Sequence, residues 1–268
     1  MEEVRWMHEM TWPEFSELVK ETDIALIPAG VMEEHGHHGP LGVDTFAAEE
    51  MAKRIARRVK AVTLPVMPYG HSEERFDTSA WPGTISISPE TTASFYRELG
   101  EELVRHGLRR ILFVSGHYNN NGPLTTAAFR IWKETGAAVG LFEWFIAVHD
   151  EAYELTELIH ADQVETSIIL ASDKAHLVKM DRAVVNPLKV PAFDDEKELW
   201  KRFMFDRYTF SADESYLYKG NFCDPTKATK EIGDRLLDLS ADRALIMIEA
   251  LKKHVNEKKI KRYRESFI

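Results

Sequence analysis

Between Glu33 and Asp44 the chain reads EEHGHHGPLGVD, which sets Glu33, Glu34, His35, His37, His38 and Asp44 within twelve residues. Carboxylate and imidazole groups are the oxygen and nitrogen ligands suited to zinc, manganese or iron. Gly36, Gly39 and Gly42 let the backbone bend so that these side chains can converge. The same residues carry plainer readings. Asp44 can serve as the N-cap of the helix that follows, Glu33 and Glu34 as a solvated pair, and the histidines as an adventitious metal tract.

The elements on either side say where this loop must lie. Residues 24–28 are apolar and β-branched and break at Pro28 and Gly30, and residues 45–58 turn helical, giving strand, ligand-rich loop, helix. Further strands are predicted over 61–66, 110–115 and 137–143, and helices over 89–106, 123–135, from Asp162 through Ala171, and 226–256. Gly107 supplies the stop of the helix over 89–106. Residues 1–20 read as an edge segment and a short helix capped by Thr11. This alternation predicts a three-layer α/β/α fold with a mainly parallel sheet. Sites in such sheets form at the carboxyl ends of strands, where both the Glu33–Asp44 loop and the run Gly116-His117-Tyr118-Asn119-Asn120 fall. There is no repeat, low-complexity tract or composition break, so residues 1–268 are expected to form one domain. The long segment 68–90 is expected to be functional rather than disordered, and the aromatic stretch 186–223 to be a lid or a subunit contact.

Composition sets outer limits. The 268 residues are 44% apolar, enough for one large folded domain. A formal net charge of −10 argues against nucleic acid or an anionic membrane as partner. The basic run from Lys252 to Arg264 reads as a solvated helix face or tail. One cysteine, Cys223, excludes an internal disulfide and a thiolate metal cluster. No signal peptide or run long enough to cross a bilayer is present, so the expected location is the cytoplasm. No Gly-x-Ser-x-Gly elbow points to a serine hydrolase.

The pattern Gly30-x-x-Glu33-x-His35-Gly36-x-His38-x-Pro40-Leu41-x-x-Asp44 resembles the signature of the creatininase (creatinine amidohydrolase) family. Ser115-Gly116-His117 and His160-Ala161…Glu165-Thr166-Ser167 resemble its other two motifs. The resemblance implies two divalent ions (zinc, manganese or iron) held by Glu33, His35, Asp44, His117 and Glu165, with Asp44 bridging. It implies His160 as a catalytic acid/base, and a lining of Trp81, Tyr118, Asn119 and Trp144. It also implies a homo-oligomer, often a hexamer. Taken alone, His117 reads as a hydrogen-bonded loop residue, Trp144 as a core or rim aromatic, and Asp162-x-x-Glu165 as a capping box.

Some positions depart from the family. His37 stands where proline is usual and Gly39 where leucine is common. Asn119 replaces the glutamate of creatininases proper, and Thr156 and Ile159 replace a tryptophan and a glutamate near His160. The expected function is therefore metal-dependent hydrolysis of a small cyclic amide or related polar substrate other than creatinine. The alternatives are opening of a keto-cyclitol ring, deformylation of a formamide, a metal-dependent lyase or isomerase, and a metal-binding protein without turnover.

Overall fold

The computed structural model describes residues 3–72, 82–155, 160–185 and 224–267. Five parallel strands form one sheet in the order β1-β3-β2-β4-β5: β1 (Arg5–Trp6), β2 (Ile24–Ala29), β3 (Val62–Thr63), β4 (Arg110–Ser115) and β5 (Ala138–Glu143). Strands buried on both faces are continuous apolar runs, and β2 (IALIPA) is buried at all six positions. Successive side chains still point to opposite sides. Ile24 and Leu26 of β2 and Leu112 and Val114 of β4 meet α2 (Val43–Ala56), α7 (Gln163–Leu170) and α8 (Lys230–Leu251). Ala25, Ile27, Ile111 and Phe113 meet α1 (Trp12–Glu21), α3 (Pro89–Arg105), α4 (Asn121–Thr135) and α9 (Glu257–Glu265). These are the three layers. Two short helices, α5 (Trp144–Ala147) and α6 (His149–Tyr153), follow β5.

The strand order reverses between β2 and β4. From β2 the chain crosses through α2 to β3 on one side, then returns through α3 to β4 on the other. Ala29 pairs with Ser115, and Gly116 N donates to Ala29 O at 2.9 Å, so the two strands end side by side. Both ligand loops leave from this switch point.

Three boundaries differ from the sequence reading. β3 covers two residues of the six predicted because Pro65 has no N–H for the ladder. The pairing resumes around it through Leu64 N to Leu26 O (2.9 Å) and Gly30 N to Met67 O (3.0 Å). The last predicted helix is shorter: Thr229 Oγ1 accepts from Ile232 N at its start, and it ends at Leu251. The basic stretch beyond it is no solvated tail. Asn256 caps α9, whose Ile260 is buried in the core and whose Glu257 pairs with Arg109. The segment 186–223, with Cys223, lies outside the described residues, as do residues 73–81 and 156–159. Among the described residues no helix is long and apolar enough to cross a membrane.

The start of α2 rests directly on the strand ends. A Cβ on Gly116 would lie 1.9 Å from Asp44 O, and one on Gly30 would lie 2.4 Å from Thr45 Cα. Thr45 Oγ1 also donates to Val31 O at 2.9 Å. Absent side chains at two strand ends therefore set the depth of Asp44. Gly116→Ala is expected to lower stability by about 2–3 kcal/mol by overpacking and to reduce metal content with it. Gly122→Ala, at an open helical position where a Cβ meets nothing within 4 Å, is expected to match or exceed the parent. Urea unfolding midpoints and metal analysis of the two variants check the contrast.

Candidate metal centre

Four segments deliver the cluster. The loop after β2 brings Glu33 and His35, the first turn of α2 brings Asp44, the end of β4 brings His117, and the first turn of α7 brings Glu165. The N-cap of α2 is Gly42, so Asp44 is not the cap; it is the second helical residue, where the helix dipole favours a negative charge. All five side chains are buried, from His35 at 1% exposed to His117 and Glu165 at 8%.

The two oxygens of Asp44 face different neighbours. Oδ1 is 3.5 Å from His35 Nε2, which is itself 3.3 Å from Glu165 Oε2. Oδ2 is 3.1 Å from His117 Nδ1, which is 3.3 Å from Glu33 Oε2. The five residues thus divide into two sets of three, His35–Asp44–Glu165 and Glu33–Asp44–His117, sharing Asp44. Two donors each about 2.1 Å from a tetrahedral ion lie about 3.4 Å apart, which is the spacing seen. Asp44 Oδ2 and His35 Nε2 are buried and make no hydrogen bond. Donors at ligand spacing with unmet hydrogen-bonding capacity fit a pair of cations.

Neighbouring groups orient the donors, as supporting hydrogen bonds do in metal sites. His35 Nδ1 lies 3.1 Å from the Glu33 carbonyl, an arrangement that puts the ring proton there and turns Nε2 to the cluster. Ser72 Oγ donates to Glu33 Oε1 at 2.7 Å, and Ala161 N donates to Glu165 Oε2 at 2.6 Å. Asp162 Oδ1 accepts from Val164 N and Glu165 N, so Asp162 caps α7 while Glu165 stays with the cluster. Ala161 has φ +48°, a left-handed conformation uncommon for a residue with a side chain. It turns the chain between His160 and the α7 cap.

The cluster is strongly coupled. Burial opposes the charged forms of His35 and His117, but the facing carboxylates outweigh it. His35 is raised well above the usual histidine range and His117 to about 9. Burial likewise favours the neutral form of Asp44 and Glu165, yet the imidazolium charges hold both below the ordinary carboxylate range.

The remaining candidates are placed differently. His160 Nδ1 is 3.9 Å from Glu33 Oε2, and the His160 ring lies 4.7 Å from that of His35. Tyr118 and Asn119 line a groove of about 770 Å³ with His71, Asn121 and Arg97, and none of the five cluster residues lines it. Trp144 does not fit a lining role: it is 1% exposed, packs edge-on against Phe145 and belongs to the core. His37 is exposed, and His38 Nε2 lies 2.9 Å from Thr166 Oγ1, away from the two sets. Trp81, Thr156 and Ile159 lie outside the described residues. The sequence reading took Glu34 as a candidate ligand or half of a solvated pair and gave no separate role to Ser72 or Asn120. Glu34 Oε1 is 3.3 Å from His160 Nε2. Asn120 ties two site loops together, its Nδ2 donating to Gly30 O (3.0 Å) and its Oδ1 accepting from His71 N (2.8 Å). Ser72 sits in the segment already singled out; Asn120 follows the His117 motif but carried no signal of its own.

The family model described as Creatininase: Creatinine amidohydrolase matches residues 8–248. A creatinine amidohydrolase of Pseudomonas putida is 30% identical over 67% of this chain and 75% of its own length. A 3-dehydro-scyllo-inosose hydrolase of Thermotoga maritima is 28% identical over 60% of this chain and 54% of its own. A mycofactocin precursor peptide peptidase of Mycobacterium tuberculosis is 34% identical over 42% and 47%. A solved structure titled as a manganese form of creatininase superposes with a TM-score of 0.76 at 25% identity, covering 94% of this chain and 99% of that one.

Because Asp44 belongs to both sets, Asp44→Ala is expected to lose both ions, whereas Glu165→Ala keeps the one on the Glu33–His117 side; metal analysis after dialysis distinguishes them. Metal entry must also displace protons from the imidazoles. Below about pH 9 the metal-free His117 is protonated, and His35 is raised as well, so apparent zinc affinity is expected to rise with pH, about tenfold per unit for each proton displaced, until both imidazoles have lost their protons. Calorimetric titrations in buffers of different ionisation enthalpy should register proton release at pH 7. No release would contradict this picture of the cluster.

Proposed function

The chain belongs to the creatininase family, and on that premise we propose that it is a metal-dependent hydrolase cleaving the C–N bond of a small polar amide other than creatinine. The observation that carries the reading is Asp44, with one oxygen toward each half of the cluster. Glu33, Asp44 and His117 would hold one ion, and His35, Asp44 and Glu165 the other. Two ions so held supply Lewis-acid polarisation of a carbonyl and activation of water.

The protein's own part is positioning and proton transfer. His160 lies beside both sets and, with Glu33 and His35, forms a third group of possible donors; it is the partly exposed one of the six residues. Burial disfavours its charged form, and the Glu34 contact together with the charges of Glu33 and Glu165 outweighs that effect, raising it above the ordinary histidine value. A histidine in this position takes a proton and returns it to the leaving nitrogen. Burial of the donors limits bulk water among them.

Substrate choice rests on the outer groups. Asn119 is neutral at a position where creatininases carry glutamate, which removes a charge from the surroundings of a small planar cation. A neutral cyclic amide or a formamide suits this surface better. A second reading, hydrolytic opening of a keto-cyclitol, is supported by the likeness to the inosose hydrolase. We also take the protein to be a cytoplasmic homo-oligomer. The exposed pair Phe129 and Trp132, with ring centroids 5.7 Å apart on α4, supports the second half of that reading.

The test is a screen of cyclic amides, formamides, keto-cyclitols and creatinine against zinc- and manganese-reconstituted enzyme, with product analysis for water incorporation. Creatinine is expected to be turned over poorly; turnover matching the best alternative would refute the substrate argument. His160→Ala is expected to keep its metal and lose about 10²–10⁴-fold in kcat. Near-normal kcat in that variant would remove His160 from proton transfer.

A further inference from the structure

Glu34 sits between two cluster residues in sequence but does not join either set. It is buried, at 7% exposed, and a buried carboxylate is tolerated only with partners. One oxygen, Oε2, accepts from Gly36 N at 3.1 Å, and its own backbone N donates to Thr84 Oγ1 at 3.1 Å. Both ends of the residue are therefore fixed by its surroundings. The other oxygen, Oε1, lies 3.3 Å from His160 Nε2, a contact spanning 126 positions of sequence.

We propose that Glu34 is a positioning residue that holds His160 by Nε2 and so presents Nδ1 as the nitrogen that exchanges protons with substrate. The geometry carries this assignment from both sides of the ring. Nε2 faces a carboxylate already anchored to backbone, whereas Nδ1 faces the cluster, 3.9 Å from Glu33 Oε2. An imidazole that moves a proton needs its second nitrogen fixed, because that contact sets the tautomer, aims the ring and stabilises the imidazolium when it forms. The neighbouring His35 ring, tilted 36° at 4.7 Å, limits rotation on the third side. In this arrangement the Nε2 proton stays with Glu34 throughout, and the transferred proton enters and leaves at Nδ1. Glu34 belongs to none of the groups of possible donors, so the role assigned to it is exerted through His160.

The proposal rests on the reading of His160 as the proton-transfer group, and the experiment separates the two. Zinc-loaded parent, Glu34→Gln, Glu34→Ala, His160→Ala and the double variant Glu34→Ala/His160→Ala are compared for zinc content, for kcat and KM on the best substrate of the screen, and for the His160 tautomer by long-range 1H–15N correlation. The tautomer measurement needs no substrate. The expected results are zinc content unchanged in both Glu34 variants and kcat reduced about 10²-fold in Glu34→Ala with KM nearly constant. Glu34→Gln keeps an acceptor oxygen and should restore the Nε2–H tautomer and part of kcat. The double variant should be no slower than His160→Ala, because groups acting as a unit are not additive. Loss of zinc in Glu34→Gln would make Glu34 a ligand and overturn the proposal. So would an unchanged tautomer in Glu34→Ala, or a double variant slower than His160→Ala. Should Glu34→Ala fail to fold, the Glu34→Gln tautomer and zinc content decide: an altered tautomer or lost zinc counts against the proposal. A silent His160→Ala would sink the proton-transfer reading itself, whereas a dead His160→Ala beside a fully active Glu34→Ala would sink only the role of Glu34.

Discussion

A single buried carboxylate, shared between two imidazoles, fixes the arrangement of everything around it. Asp44 is 2% exposed, and its oxygens look in two directions, to His35 and to His117. It reaches that depth because α2 begins in contact with the ends of β2 and β4, at strand ends that carry Gly30 and Gly116. The parallel pairing of Ala29 with Ser115 makes those ends coincide. Sheet register, helix entry and ligand geometry are therefore one constraint: a shift of β2 against β4 would move Glu33 and His35 away from His117 together.

The electrostatics follow from the same burial. Withdrawing an ion from water costs several kcal/mol even after relaxation, and this pocket gathers three carboxylates and two imidazoles. Protons on the imidazoles offset the negative charge when cations are absent, which is why His35 and His117 rise and Asp44 and Glu165 fall. Cations held by these residues would replace those protons, and His35 Nε2 and Asp44 Oδ2, which lack hydrogen-bond partners, would be available to them. His38 shows the contrary case nearby. Burial and the charge on His35 push it down to about 4, and it is held by Thr166 as a neutral ring. One loop thus presents two neighbouring histidines with opposite tendencies, set by whether a carboxylate faces the ring.

How much of this was legible in the sequence depended on the range of the interaction responsible. The buried runs at 24–29 and 110–115 and the glycines and ligands that follow them are local patterns, and they gave the layers, the sheet and the switch point. The shortening of β3 was local too, written in Pro65. The distribution of ligands into two sets was not, because it depends on which oxygen of Asp44 faces which ring. Trp144 illustrates the same limit: a tryptophan just past a strand end suits a rim or a core equally, and only packing against Phe145 decides for the core. Glu34 was read as a possible half of a solvated pair because its partner lies on the far side of the chain. The basic C-terminal stretch looked like solvent-facing helix since its anchor is one apolar residue, Ile260, among many charges.

The cluster and its surroundings are built on different parts of the fold. The donors come from strand ends and from the first turns of α2 and α7, all braced by the central sheet and its two helical layers. The outer groups include Ser72 and Thr84 and the short turn at Tyr118–Asn120. Among the described residues, hydrogen bonds from Ser72 to Glu33, from Glu34 N to Thr84 and from Asn120 to Gly30 join the two levels. Asn119 belongs to neither donor set and lines a groove that none of the five donors lines, so its exchange would leave the spacing of those donors intact. Relatives of this chain carry names as different as creatinine amidohydrolase, inosose hydrolase and peptide peptidase, as expected where one fold hosts sites that differ in their outer groups.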